Sequence, residues 1–130
     1  MRTKLPDCKD CNNGEITVEL REFIHRRVRH RTRPYGIVLT YKCVVEVMAS
    51  KYLEDESEFT SLKEFGSVVA LEYVQEGYPL DAEKITKDAA KHWRSHFGSL
   101  ESKSAFGCGY RFIRARGDDV HRHKIVCVFL

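Results

Sequence analysis

The chain has 130 residues, of which 42% are hydrophobic and 32% are charged, and its formal net charge is +3. This length suits one domain with its own core, and the near balance of acidic and basic groups excludes a disordered polycation. No apolar stretch is long enough for a membrane span or a secretory signal, so the sequence predicts a cytoplasmic protein without a membrane partner.

The first predicted element is a strand from Gly14 to about Val28, because apolar and polar residues alternate along it. A second strand is predicted over residues 35–52, where β-branched and aromatic residues dominate one face. The short turn between the two predicts a long antiparallel hairpin.

Two helices are predicted after this hairpin. Ser61 followed by Glu64 has the spacing of a capping box, which predicts a helix over about 61–76. Asp81 is the expected N-cap of the second helix, whose apolar stripe runs from Ile85 to Phe97.

The last predicted elements are two strands, 110–116 and 120–130, which follow a loop over 98–108. The order ββααββ predicts a single α+β domain over residues 1–130, with a mainly antiparallel four-stranded sheet and two helices packed on one face. Residues 1–13 are expected to form an N-terminal arm that carries a Cys-x-x-Cys pair.

The most basic stretch is residues 25–33, which contain five arginines and two histidines. On a strand, the odd-numbered arginines share one face at intervals of about 6.6 to 6.8 Å, and Arg26 lies on the other face near the core edge. That interval resembles the spacing of phosphates along a nucleic-acid strand, and guanidinium groups bind phosphate in a bidentate manner. The expected nucleic-acid-binding residues are Arg21, Arg27, Arg29, Arg31, Arg33, Tyr35, Arg111, Arg114 and Arg116.

These residues predict a non-enzymatic accessory or regulatory protein that binds the backbone of RNA or single-stranded DNA. The alternative for the arginines is the solvated end of a hairpin, where charge prevents a sheet edge from pairing with other chains.

A second interpretation uses the acidic middle of the chain, because residues 53–76 carry seven acidic groups against Lys63 alone. Glu64, Glu72 and Glu76 on the predicted helix would form a surface for a basic protein, as in an interaction adapter or inhibitor. A homodimer is also expected, since the last strand is apolar on both faces and must be covered.

Five cysteines, without an export signal, predict reduced thiols or metal ligands rather than a disulfide framework. Cys8 and Cys11 have the spacing of half a zinc knuckle, and His92 and His96 are one helical turn apart, so the four could bind zinc. Roughly 80 residues separate the two halves, which favours the alternative of no cofactor.

A third functional class is a small metal- or His-dependent nuclease. His121 and His123 alternate beside Lys124, and such sets perform acid–base chemistry on phosphodiesters. No catalytic residue is assigned, because no partner group is placed beside these side chains.

Overall fold

The computed structural model describes residue 8 and residues 16–54, 62–65, 68–77, 79–114, 117 and 120–130. The helices in this part are α1 (Val18–Thr32), α2 (Cys43–Glu54) and α3 (Ala82–His92). The strands are β1 (Thr40–Tyr41), β2 (Leu62–Phe65), β3 (Val68–Glu76), β4 (Ala105–Ile113) and β5 (Arg122–Phe129). Two short 3₁₀ segments cover Arg33–Tyr35 and Arg94–Leu100.

The strands of the described residues form one mixed sheet in the order β1-β4-β5-β3-β2. The β1–β4 pair is parallel, and the other three pairs are antiparallel. The α+β class is confirmed, but the prediction of a mainly antiparallel four-stranded sheet is corrected, because the described sheet has five strands and includes a parallel pair.

Helices cover both faces of the sheet, rather than one face as predicted. Along β5, Ile125, Cys127 and Phe129 pack in the core formed with α1 and α3, whereas Val126 and Val128 pack with α2. The apolar residues on both faces of this strand are therefore buried within the chain, and they do not require a second copy of the chain to cover them.

The strand predicted to Val28 is wrong, because residues Val18–Thr32 form α1. Leu20, Ile24 and Val28 share a strand face, but they are also four residues apart and therefore share a helix face. The side chain of Thr17 caps this helix by accepting a hydrogen bond from the Leu20 N–H at 3.1 Å.

The second predicted strand is also mostly a helix. Within this segment only Thr40–Tyr41 is paired as a strand, and α2 follows, with Val45, Ala49 and Leu53 buried at four-residue intervals. Gly107 lies against α2 so closely that a Cβ atom there would be 2.3 Å from the backbone nitrogen of Glu46. Close helix–sheet packing thus overrides the β propensity of this segment.

The helix predicted over 61–76 is wrong, since its described residues belong to the antiparallel strands β2 and β3. The later elements agree better with prediction. The carboxylate of Asp81 accepts a hydrogen bond from the Lys84 N–H at 3.0 Å and caps α3. The last hairpin also forms, although β4 begins at Ala105, inside the predicted loop.

Two disulfides join parts of the chain that are distant in sequence. Cys8 is bonded to Cys43 at the start of α2, and Cys108 is bonded to Cys127, its direct partner across β4 and β5. The prediction of reduced thiols is therefore wrong for these four residues.

Candidate anion-binding groove

An open groove lies between α1 and α3, which pack side by side on one face of the sheet. Its volume is about 220 Å³. Its walls are formed by Phe23, Arg26, Arg27 and His30 from α1 and by Glu83 and Thr86 from α3.

The arginines of the groove have their charges available for a ligand. In the described part of the chain, Arg26 and Arg27 form no salt bridge. The guanidinium carbon of Arg26 lies 5.7 Å from the centre of the Phe23 ring, which orients it by a cation–π contact. Guanidinium groups of this kind bind carboxylate, sulfate or phosphate through two parallel hydrogen bonds.

The basic surface continues beyond the groove along α1. Arg26, His30 and Arg33 follow one another at four and three residues, so they lie on one face over about 10.5 Å of helix. Tyr35, with 53% of its surface exposed, follows at the end of this run. We call Arg26, His30, Arg33 and Tyr35 the basic stripe.

The arginines predicted to form a column do not share a face. A helix rotates by about 100° per residue, so the odd-numbered arginines point in different directions around α1. Arg21 is buried, Arg27, Arg29 and Arg31 are partly buried, and Arg33 is exposed. Arg26, predicted at the core edge, is exposed on the groove side instead.

Arg21 belongs to a buried polar network rather than to a binding surface. Its Nε donates to Glu46 Oε1 at 2.7 Å, and its second terminal nitrogen donates to Oε2 at 3.2 Å. The Tyr41 hydroxyl also donates to Oε1, at 2.5 Å. Burial and the Glu46 charge raise the pKa of Tyr41, so its hydroxyl keeps the proton that this hydrogen bond requires.

His25 lies on the buried side of α1, with its ring stacked on Phe106 at 6.0 Å. Burial, with a smaller effect of the Arg29 charge, lowers the pKa of His25 below its ordinary value of 6.5. The unfolded chain therefore binds a proton more readily, and the stability contributed by neutral His25 is lost as the pH falls below about 6.5.

Replacing His25 with phenylalanine is thus expected to flatten the fall in unfolding free energy between about pH 7.5 and pH 5, measured by urea denaturation at each pH. The exposed His30 serves as the control, because its replacement by asparagine should preserve the wild-type pH dependence. If the unfolding free energy of His25→Phe changed with pH as steeply as that of the wild type, the role of buried His25 in the pH dependence would be contradicted.

The predicted binding residues of the last hairpin lie apart from the groove. Arg111 donates a hydrogen bond from its guanidinium to the carbonyl oxygen of Leu53 at 3.0 Å, and Arg114 is exposed at the end of β4. Arg116 lies outside the described residues. These arginines therefore do not extend the α1 surface.

The predicted zinc site is not assembled. The Cys8 sulfur is bonded to Cys43, and Cys11 lies outside the described residues. His92 contacts the ring of Tyr73 at 5.4 Å, and His96 is partly buried. In the described part of the chain, no three His, Cys, Asp or Glu side chains are grouped to hold a metal ion.

The histidines predicted for a nuclease site lie near each other, with the rings of His121 and His123 at 5.3 Å and 5.2 Å from the Phe112 ring, but Lys124 does not join them. His123 Nδ1 is hydrogen-bonded to the Tyr110 hydroxyl at 2.6 Å. Lys124, the next residue, projects to the opposite face and pairs with Glu72 at 3.1 Å. Both Glu72 and Lys124 are buried in this pair.

The predicted acidic helix surface is also wrong. Glu72 is buried on β3, Glu76 is exposed at the end of the same strand, and the Glu64 side chain lies outside the described part. The carboxylates therefore do not form a common helix face.

Of the two groove arginines, the sequence predicts Arg27 as a binding residue but places Arg26 at the core edge. It does not predict the groove, because Glu83 and Thr86 come from an element distant in the chain. The helical spacing of Arg26, His30 and Arg33 was a signal that could have indicated the stripe. In the described residues, none of the helices is long and apolar enough to span a membrane.

The fold and its cross-links define a disulfide-bonded domain with helices on both faces of a mixed sheet. A family model described as "Ancylostoma-associated secreted protein related" matches residues 8–129, and the chain belongs to this family. No curated protein matches the sequence.

Solved structures show the same fold. A structure described as manganese-bound Ac-ASP-7 has a TM-score of 0.60 and 17% identity, with 91% of this chain and 72% of that chain covered. Another structure, described as the Ancylostoma-secreted protein Ac-ASP-7, has a TM-score of 0.61, with the same identity and coverage. Na-ASP-1 has a TM-score of 0.68 and 12% identity, and the match covers 99% of this chain but 43% of that one.

The family corrects the functional predictions. Its members are described as secreted, and the two disulfides agree with an oxidising compartment, so the cytoplasmic prediction is wrong. The prediction of an RNA- or DNA-binding protein is wrong as well, since the family is not one of nucleic-acid-binding proteins and the arginine column does not form.

Proposed function

We propose that this chain is an extracellular recognition domain that binds an anionic ligand in the groove between α1 and α3. The observation that carries the proposal is the pair of arginines, Arg26 and Arg27, with no salt bridge to the neighbouring wall or to any other described carboxylate. Ligand binding would satisfy both guanidinium groups at once.

The opposite wall of the groove adds selectivity. Glu83 carries the opposite charge and Thr86 a hydroxyl, so the groove offers acceptors as well as cationic donors. A ligand that combines anionic groups with hydroxyl or amine donors fits this wall better than a simple anion, because Glu83 repels negative charge that lacks a donor beside it.

The proposal is tested with a heparin disaccharide, a small sulfated sugar that keeps free hydroxyl groups, by isothermal titration calorimetry on the full chain. Replacing both Arg26 and Arg27 with alanine is expected to weaken binding by about a hundredfold or more, since each arginine loses at least one charged hydrogen bond that contributes about 1.5 to 3 kcal/mol.

The matched control is the pair Lys51→Ala and Arg114→Ala, which removes the same charge from α2 and the end of β4. It should bind nearly as tightly as the wild type. Equal weakening in both double variants would show attraction to overall charge alone and would contradict a site in the groove.

A further inference from the structure

The basic stripe points to a polymeric ligand, and we propose that the groove binds one part of a sulfated glycosaminoglycan whose next sugars follow α1 to Tyr35. This inference rests on the proposed function, because it takes the groove as the first contact. It adds the chemical class and the path of the ligand.

The charge pattern along α1 sets the direction of this path. Glu19 and Glu22 lie on the exposed side of the first turns, whereas Arg26, His30 and Arg33 occupy that side further along. A linear polyanion is repelled by the first half of the helix and attracted by the second. The polymer therefore leaves the groove toward the end of α1.

The length of the basic stripe favours a polymeric ligand over a small anion. A single sulfate or carboxylate needs one or two guanidinium groups, and the groove supplies two of them. Arg33 lies seven residues beyond Arg26, outside the groove lining, and adds a further exposed charge. Only a ligand with repeated anionic groups can contact the groove and Arg33 together.

The aromatic residues favour a sugar as the carrier of those groups. The Tyr35 ring is exposed at the end of the stripe and rests on Gly98, where a Cβ atom would lie 3.2 Å from the ring. Phe23 provides a second, partly exposed ring in the groove. Aromatic rings present apolar faces to the C–H groups of sugars, while Glu83 and Thr86 accept hydrogen bonds from their hydroxyl groups.

The inference is tested by measuring the affinity of the full chain for a heparin disaccharide and a heparin octasaccharide at several salt concentrations. We expect the octasaccharide to bind about tenfold more tightly, with a steeper loss of affinity as salt increases, because a longer polyanion releases more counterions. Arg33→Ala should weaken octasaccharide binding severalfold and leave disaccharide binding unchanged.

The control is Lys51→Ala, which removes one charge from the opposite layer and should change neither affinity. Equal affinities for the two oligosaccharides, or an Arg33→Ala variant that binds both like the wild type, would overturn the proposal of a polymeric ligand. Either result would leave the proposed binding of a small anion in the groove intact. Binding to vesicles that contain phosphatidylserine, without binding to the octasaccharide, would assign the basic stripe to a lipid surface. That result would also overturn the glycosaminoglycan proposal.

Discussion

Replacing Glu46 with alanine is expected to lower the free energy of unfolding by about 3 to 5 kcal/mol, because it removes the carboxylate that pairs with the buried charge of Arg21. Glu46 accepts two hydrogen bonds from the guanidinium of Arg21 and one from the hydroxyl of Tyr41. These residues come from α1, β1 and α2, so their loss also loosens the contact between layers. Urea denaturation of the oxidised protein measures the change.

The control for this prediction removes the whole ion pair. The double variant Arg21→Met and Glu46→Leu should recover most of the lost stability, since well-packed apolar residues can replace a buried pair. A loss below about 1 kcal/mol in Glu46→Ala, or a double variant less stable than Glu46→Ala, would contradict the role assigned to the network.

Replacing Gly107 with alanine is expected to cost about 3 kcal/mol or more, at or above the upper end of ordinary overpacking. The added Cβ would lie 2.3 Å from the Glu46 nitrogen and 2.6 Å from the Val45 carbonyl carbon, both of them backbone atoms that cannot rotate away. The helix α2 would have to move off the sheet, which opens the core formed by Val45 and Ala49. Urea denaturation again measures the loss.

Two other glycines provide a graded comparison. At Gly109 the nearest atom is the Leu53 Cδ1 at 2.7 Å, a side-chain atom that can shift, and at Gly98 it is the exposed Tyr35 ring at 3.2 Å. The order of stability loss should be Gly107→Ala, then Gly109→Ala, then Gly98→Ala. A Gly107→Ala variant as stable as Gly98→Ala would contradict the close contact between α2 and β4.

The second half of the fold was predictable because its local signals agree with its packing. Asp81 caps α3 as expected, and β4 and β5 pair around the predicted turn. In α1, by contrast, Leu20, Ile24 and Val28 fit both a strand period and a helix period, so periodicity alone cannot decide. In α2 the valines favour a strand by their intrinsic propensity. The helix is stabilised instead by its close packing against Gly107 and Gly109 of β4, which are distant in the sequence.

The candidate site was predictable in its chemistry but not in its shape. The density of arginines in residues 25–33 correctly indicated a basic surface, while the choice of a strand assigned the wrong side chains to it. The disulfides are not predictable from the cysteines alone, because five cysteines without an evident export signal favour a reducing compartment. The wall formed by Glu83 depends on tertiary packing, for which the local sequence carries no signal.

The central claim, that the groove between α1 and α3 is the binding site, is tested most directly by amide chemical shifts during titration with a heparin disaccharide. We expect shift changes in the second half of α1 and the first turns of α3, around Arg26, Arg27, Glu83 and Thr86, while the shifts of α2 and the β4–β5 hairpin remain unchanged. Shift changes centred on Arg111 and Arg114, with α1 and α3 unaffected, would contradict it.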